Sequence, residues 1–350
     1  MRTADPWSLR SWRSDVWAAP RRFLARRGPL EAAPALADVH ELLLAAASEE
    51  PTGPPRRLPF VALDGTPLVY SATTSGDAFR LLAEPGALDR DVPSQVDFAL
   101  STLDALVGIL GWRGAAADVD TVVRAALPPT AEEARTLRGG VGLGLAADAK
   151  GIELRVYLDL RGGNPVARWQ RVADALAPFG DRESEASFAS LLVRAAPRAV
   201  PVGLAAVLAD NALRGLRVYV GVDRHAVDDL AALTELPRSA IEPFAATLGP
   251  FGPQRVIAAF DFALEDSLLR TASPRTKIDA CRLGVEAQKA RAEIAALAGA
   301  YAVDAAPLQR LVADLDETFG ESTIQYLGVG RRRDVTELAV YVEPAGLARR

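Results

Sequence analysis

GVGLGLAADAKGIELRVYLDL, residues 140–160, is the stretch from which the fold of this chain can be read. Two alternating runs, 140–147 and 152–160, flank a short break, which is the pattern of a β-hairpin. In the second run Leu154, Val156, Leu158 and Leu160 share one face, and Glu153, Arg155, Tyr157 and Asp159 share the other. The first run puts Gly140, Gly142, Gly144 and Ala146 beside those polar side chains, where a missing side chain leaves room for something bulky.

The same hairpin type recurs along the chain, and each copy follows helical periodicity. Strands are predicted at 67–74 and 78–84, 200–208 and 215–222, 254–262 and 275–281, and 322–329 and 335–343. Helices are predicted over 36–47, 94–110 with Ser94 as N-cap, 117–127, 226–235, 240–248 with a capping box of Ser239 and Glu242, and 284–300. Asn164 and Pro165 open another helix, Phe188 to Ala195 marks its partner, and Leu308, Leu311, Val312, Leu315 and Phe319 stripe the last, ended by Gly320. The result is five helix–helix–strand–strand units, the first with an ill-defined opening helix.

Strands joined by short turns are antiparallel, so a doubly wound parallel sheet is excluded. Closing ten such strands into a barrel removes the exposed edges, and the helices then coat the outside. An open sheet with its polar face in solvent fits the same alternation, but helices flanking every strand pair need a sheet face to bury. The predicted fold is α+β: a ten-stranded antiparallel barrel ringed by helices, built from five ααββ repeats. Apolar strand faces then point outward and polar faces point inward, so Arg, Glu and Tyr line a wet or ligand-filled lumen.

Composition narrows the function. Apolar residues make up 49% of the chain and charged residues 24%, which is ordinary globular composition. Forty Lys+Arg against forty-five Asp+Glu, a net charge of −5, gives no basic excess to recommend nucleic acid. One cysteine, Cys281, and two histidines exclude an intramolecular disulfide and a Cys- or His-rich metal centre, and suit a cytoplasmic location. No run approaches 18 uncharged apolar residues, so no membrane span is expected. Residues 1–30 read as an arm carrying Trp7, Trp12 and Trp17, with 31–345 as a single barrel domain, and residues 51–58 read as a linker. Asp228-Asp229 lacks a third aspartate for a magnesium-bridging DDxxD, and the glycines of 139–144 lack the spacing of a nucleotide loop. His225 reads as a helix-start residue, and Arg331-Arg332-Arg333 as a solvated hairpin turn.

DGTPLVYS (64–71), RLLAEPG (80–86), Arg155-Val-Tyr157, Arg217-Val-Tyr219, Gln325-Tyr326 and Tyr341 stand in order on the predicted strands. In these residues the chain resembles the aromatic prenyltransferases of the ABBA barrel type, especially the bacterial relatives of dimethylallyltryptophan synthase, over about residues 30–345. The resemblance implies an enzyme that moves a dimethylallyl or longer prenyl group from its diphosphate to a small electron-rich aromatic acceptor, with no cofactor and no metal. It implies that Arg80, Arg155, Arg217 and Lys277 bind the diphosphate, and that Tyr157, Tyr219, Tyr326 and Tyr341 shield the allylic cation. Val69, Ser71, Glu84 and Gln325 are the implied acceptor-binding residues. Three positions depart from the family: Arg155 stands where a lysine is expected, Gly215 where an upstream arginine is expected, and Val69 where the indole-prenylating relatives carry a glutamate. Valine can neither accept an N–H nor take a proton, so the expected acceptor is a fused or hydroxylated aromatic, or an indole bound through other groups, rather than free tryptophan.

The residue types suit this chemistry in their own right. Arginine offers a planar fork of donors that never loses its charge, and tyrosine faces stabilise a carbocation by roughly 0.5–2 kcal/mol each while excluding water. A non-catalytic barrel binding an aromatic or isoprenoid ligand is the competing reading; such a binder has no need of a phosphate site.

Overall fold

Ten strands close on themselves in the computed structural model, which describes residues 22–24, 26, 35–47, 67–75, 79–86, 90–128, 130–134, 137, 139–148, 151–222, 227–249, 256–265, 268–270, 276–282, 285–332 and 335–344. In chain order the strands are β1 (Leu68–Thr73), β2 (Phe79–Ala83), β3 (Val141–Asp148), β4 (Gly151–Asp159), β5 (Ala199–Ala209), β6 (Ala212–Val222), β7 (Val256–Glu265), β8 (Leu268–Arg270), β9 (Thr276–Cys281), β10 (Thr323–Arg332) and β11 (Val335–Glu343). Every neighbouring pair is antiparallel, β6 joins β7 and β1 joins β11, so no edge is left in the ring. The predicted barrel is therefore present. The addition to it is β8, a three-residue strand that pairs with β7 alone while β9 takes the next place in the ring.

Helices precede each strand pair. They are α1 (Leu36–Ala47), α2 (Val92–Leu110), α3 (Ala116–Ala126), the short α4 (Ala131–Ala134), α5 (Pro165–Leu176), α6 (Arg182–Ala195), α7 (Val227–Thr234), α8 (Arg238–Leu248), α9 (Ala287–Tyr301) and α10 (Ala306–Phe319). Local chemistry sets their ends. Asn164 caps α5 through the Ala167 amide with Pro165 just inside, and Asp181 and Ser184 form a capping box on α6. Two predicted caps are corrected. Asp91, three residues upstream of Ser94, caps α2, and its carboxylate accepts from the Ser94 amide. Ser239 and Glu242 form no capping box, because α8 starts at Arg238 after Pro237 and Glu242 instead accepts from Arg238.

The core lies between the barrel and its coat of helices. Leu154, Val156 and Leu158 of β4, and Leu216, Val218, Val220 and Val222 of β6, point outward and are at most 1% exposed. Each such side chain contributes about 1.5–3 kcal/mol by leaving water. The hairpin of β5 and β6 turns on Asp210 and Asn211, both in the left-handed region at φ 49° and 63°, the geometry of a two-residue primed turn. Phe23, within the sequence-defined arm, is fully buried, its ring 4.9 Å from Tyr70 and 6.2 Å from Phe319. The three tryptophans of that arm, the 51–58 linker and His225 lie outside the described residues. Arg331 and Arg332 extend β10 beyond the predicted strand end, and Asp228 and Asp229 are taken up by ion pairs with Arg238 and Arg198. Among the described residues no helix is long and apolar enough to cross a membrane.

Candidate active site

The inward faces of the strands enclose a cavity of about 580 Å³. Alternation puts chemically similar residues at similar heights: Arg155 precedes Tyr157 on β4, Arg217 precedes Tyr219 on β6, and Lys277 precedes Asp279 on β9. One end of the lumen is thus cationic and the adjoining layer aromatic. Arg80, Arg155, Arg217, Tyr157, Tyr219, Tyr326 and Tyr341 all line the cavity, as do Val69 and Ser71. Lys277 lines a smaller adjoining hollow of about 10 Å³ that shares Arg80 and Arg217 with the main cavity.

Each of three cations carries a carboxylate. Arg155 Nε donates to Glu153 Oε1 at 2.5 Å, Arg217 holds Asp261 through both Nε and Nη2, and Lys277 Nζ lies 2.9 Å from Asp279 Oδ1. Buried charge explains this, since an uncompensated guanidinium or ammonium inside a barrel is costly. A guanidinium has five N–H donors, and Asp261 engages two nitrogens of Arg217, so donors remain for an anionic ligand. The charges converge: Arg155, Arg217 and Arg80 all act on Tyr157, and Arg80 also acts on Lys277.

The aromatic layer is arranged in pairs. The Tyr157 and Tyr219 rings lie 6.0 Å apart, and those of Tyr326 and Tyr341 meet edge to face at 5.9 Å. Lys277 Nζ sits 4.3 Å from the Tyr341 ring centroid and also donates to its hydroxyl, which in turn donates to Asp279 Oδ2 at 3.2 Å. Gly144 makes the first pair possible: a Cβ there would lie 2.8 Å from Tyr157 Cε2 and 3.2 Å from Arg155 Cβ. Gly140, expected to clear the lumen, instead receives Gln95 of α2, whose amide bonds Pro85 O and Val141 O.

These surroundings set unequal acidities. Burial alone would raise the Tyr157 phenol, but the charges of Arg155, Arg217 and Arg80 outweigh it and hold the group below its ordinary value. Tyr219 is pushed well above its ordinary value by burial and by its neighbour Tyr157. Burial also raises Tyr341, with the Asp279 charge adding to the effect, and it lowers the Lys277 ammonium against the pull of Asp279.

Two of the sequence-derived acceptor residues do not line the cavity. Glu84 follows the end of β2 and is fully buried, its backbone N–H bonded to Pro67 O. Gln325 is the extra residue of a β-bulge, since Ile324 pairs with Val342 and Tyr326 with Tyr341, and its side chain donates to Glu343 Oε2 at 2.7 Å. Other cavity residues escaped the sequence reading. Asp279 had a signal, because Lys-Ile-Asp repeats the basic-x-Tyr pattern with a carboxylate in the tyrosine's place. Arg161, after β4, and Arg168, on α5, border the cavity and gave no signal. Among the described residues no group of three or more His, Cys, Asp or Glu side chains is arranged to hold a metal ion.

Solved structures share this architecture. The 5-dimethylallyltryptophan synthase of Streptomyces coelicolor is similar at a TM-score of 0.74 and 19% identity, over 96% of this chain and 98% of that one. The 6-dimethylallyltryptophan synthase of Micromonospora olivasterospora, solved with DMASPP and Trp, is similar at 0.70 and 19%, over 94% and 97%. The prenyltransferase PriB, in a ternary complex with L-tryptophan and dimethylallyl thiolodiphosphate, is similar at 0.71 and 19%, over 95% and 96%. The fold is thus the ABBA prenyltransferase barrel expected from the sequence. No protein-family model matches the chain, and no curated protein matches it.

Proposed function

We propose that the protein is an aromatic prenyltransferase, moving a dimethylallyl or longer prenyl group from its diphosphate to a small electron-rich aromatic acceptor. The observation that carries the reading is the layering of the lumen: Arg80, Arg155, Arg217 and Lys277 at one level, and Tyr157, Tyr219, Tyr326 and Tyr341 at the next. A diphosphate seated on the cations places its prenyl chain among the tyrosines. Breaking the C–O bond leaves negative charge on the diphosphate, where fixed arginine donors stabilise it, and positive charge on the allyl group, where the ring faces do. The barrel wall keeps water from the cation. Fold neighbours solved with a thiolodiphosphate analogue and tryptophan support the same ligand classes.

In this reading the arginines do the work of a metal ion, so activity survives a chelator and gains nothing from added magnesium. The single cysteine, Cys281, is buried and free, which supports a cytoplasmic enzyme. The test is incubation of the purified protein with dimethylallyl diphosphate and a panel of indoles, naphthols, carbazoles and phenazines. Prenylated product and equimolar diphosphate are expected. Binding of the diphosphate without product from any acceptor refutes the transferase reading and leaves a binding barrel.

A further inference from the structure

A transferase of this kind must also dispose of a proton from the ring it alkylates, and Val69, which lines the cavity, cannot take it. The main cavity nevertheless holds a carboxylate. Among the described residues that line it, five are arginines and one is acidic: Asp279. Glu153 and Asp261 are bound to their arginines and do not line the cavity.

Asp279 stands at the height of the tyrosine layer. On β4 and β6 the residue two beyond the cation is Tyr157 or Tyr219; on β9 the residue two beyond Lys277 is Asp279. In register it pairs with Ile257 of β7, which also lines the cavity, and with Gly328 of β10. The glycine is required: a Cβ at position 328 would sit 2.0 Å from Asp279 Oδ1. Lys277 Nζ at 2.9 Å and the Tyr341 hydroxyl at 3.2 Å hold the two oxygens. An ionised carboxylate has about four acceptor sites, so sites remain free for an acceptor.

We propose that Asp279 is a catalytic residue of the transfer, the carboxylate that engages the aromatic acceptor and takes the proton released on alkylation. The proposal rests on the prenyltransferase reading of this cavity. In the step, the prenyl C–O bond breaks with its electron pair leaving on the diphosphate, and an electron pair of the ring forms the new bond to the allylic carbon. The electron pair of the C–H bond at the alkylated carbon then restores aromaticity. The proton passes to an Asp279 oxygen, and from there to the released diphosphate or to water entering as products leave. For a hydroxylated or N–H acceptor, the same oxygen accepts the hydrogen bond that orients the ring.

The test uses whichever aromatic of the panel gives product, in protio and ring-deuterated form, with dimethylallyl diphosphate. Asp279→Asn is expected to lower kcat by about 10²- to 10⁴-fold, the range of a lost general base, and to show a primary deuterium isotope effect absent from the wild type. Asp279→Glu is expected to recover part of the rate. Gly328→Ala, which crowds the carboxylate while keeping it, is expected to lower kcat in the same sense. Thermal melting and calorimetric binding of inorganic diphosphate show whether each variant is folded. A folded Asp279→Asn that turns over within threefold of wild type, or one that loses rate without an isotope effect, overturns the proposal and leaves the transferase reading standing. If Asp279→Asn does not fold, a folded Gly328→Ala decides: turnover within threefold of wild type, or a loss of rate without an isotope effect, overturns the proposal. Wild-type protein that makes no product from any acceptor overturns both.

Discussion

Arg217 and Asp261 face each other across the β6–β7 seam in direct register, and the guanidinium holds both carboxylate oxygens. The carboxylate compensates a buried charge and at the same time fixes the direction of the remaining donors. In the proposed reading, Arg217→Ala removes a diphosphate-binding cation, and it also takes from Asp261 the guanidinium that holds both of its oxygens. The single variant should lose stability by about 3 kcal/mol, read by urea unfolding. Arg217→Ala/Asp261→Ala should recover most of that stability but none of the diphosphate use. Recovery of both would make the pair structural only.

Arg155 gives a cleaner kinetic test, because its partner Glu153 is about one-third exposed and can be solvated when the arginine is gone. Arg155→Ala should raise KM for the prenyl diphosphate by about tenfold or more, as charge-assisted hydrogen bonds to an anion are lost. Steady-state rates at varied dimethylallyl diphosphate and saturating acceptor measure this. An unchanged KM would remove Arg155 from the phosphate site.

All six tyrosines of the chain lie in described regions, and they separate by acidity. Tyr70, Tyr219, Tyr301, Tyr326 and Tyr341 are raised by burial, and Tyr157 alone is held below the ordinary phenol value by its arginines. The first wave of tyrosinate absorbance in an alkaline titration should therefore be one residue and should vanish in Tyr157→Phe. Inorganic diphosphate brings negative charge to the same arginines, which disfavours the phenolate. The wave should then move to higher pH. A wave that is unmoved by diphosphate places the anion elsewhere.

His40 supplies a prediction about stability. Its ring is fully buried between α1 and the barrel, bonded to the Tyr70 hydroxyl at 2.9 Å, and burial pushes its pKa down to about 3. The unfolded chain binds a proton below about pH 6.5 that the native state refuses, so this contribution is complete above that pH and fades as pH falls toward 3. Between pH 7 and pH 5 the loss amounts to about 2 kcal/mol. His40→Phe should be less stable at neutral pH yet lose less between those two values. Parallel slopes in urea unfolding would contradict the assignment.

The barrel was legible because period-2 strands and period-3.6 helices alternate five times, and the lumen cations and tyrosines followed from which strand face is polar. What the sequence could not show was pairing. Asp261 is one acid in the apolar run 254–262, and only the closed ring sets it opposite Arg217. Gln325 reads as a partner of Tyr326 on the lumen wall, but a single bulge moves it aside, and period-2 reasoning has no means to see an inserted residue. Glu84 fails for a related reason: β2 ends at Ala83, so the alternation that carried Arg80 and Leu82 inward stops one residue short of it. Arg168 reaches the cavity from a helix, whose position over the barrel is a tertiary fact.

Val69 carries the last prediction. It lines the cavity from β1, one strand from Arg80 and Leu82 of β2, and offers the acceptor nothing but an apolar surface. An indole N–H pressed against valine loses its water without gaining a partner, which costs about 1–3 kcal/mol. A fused or hydroxylated ring that turns its polar group toward Asp279 avoids that loss. In competition under dimethylallyl diphosphate, the wild type should therefore prefer such rings to free tryptophan. Val69→Glu supplies the missing acceptor and should shift the product ratio toward tryptophan by about tenfold. If wild-type protein already prefers tryptophan, its N–H has found an acceptor elsewhere in the cavity. Asp279→Leu, which has no acceptor atom, should then abolish the preference and Val69→Glu should leave it unmoved.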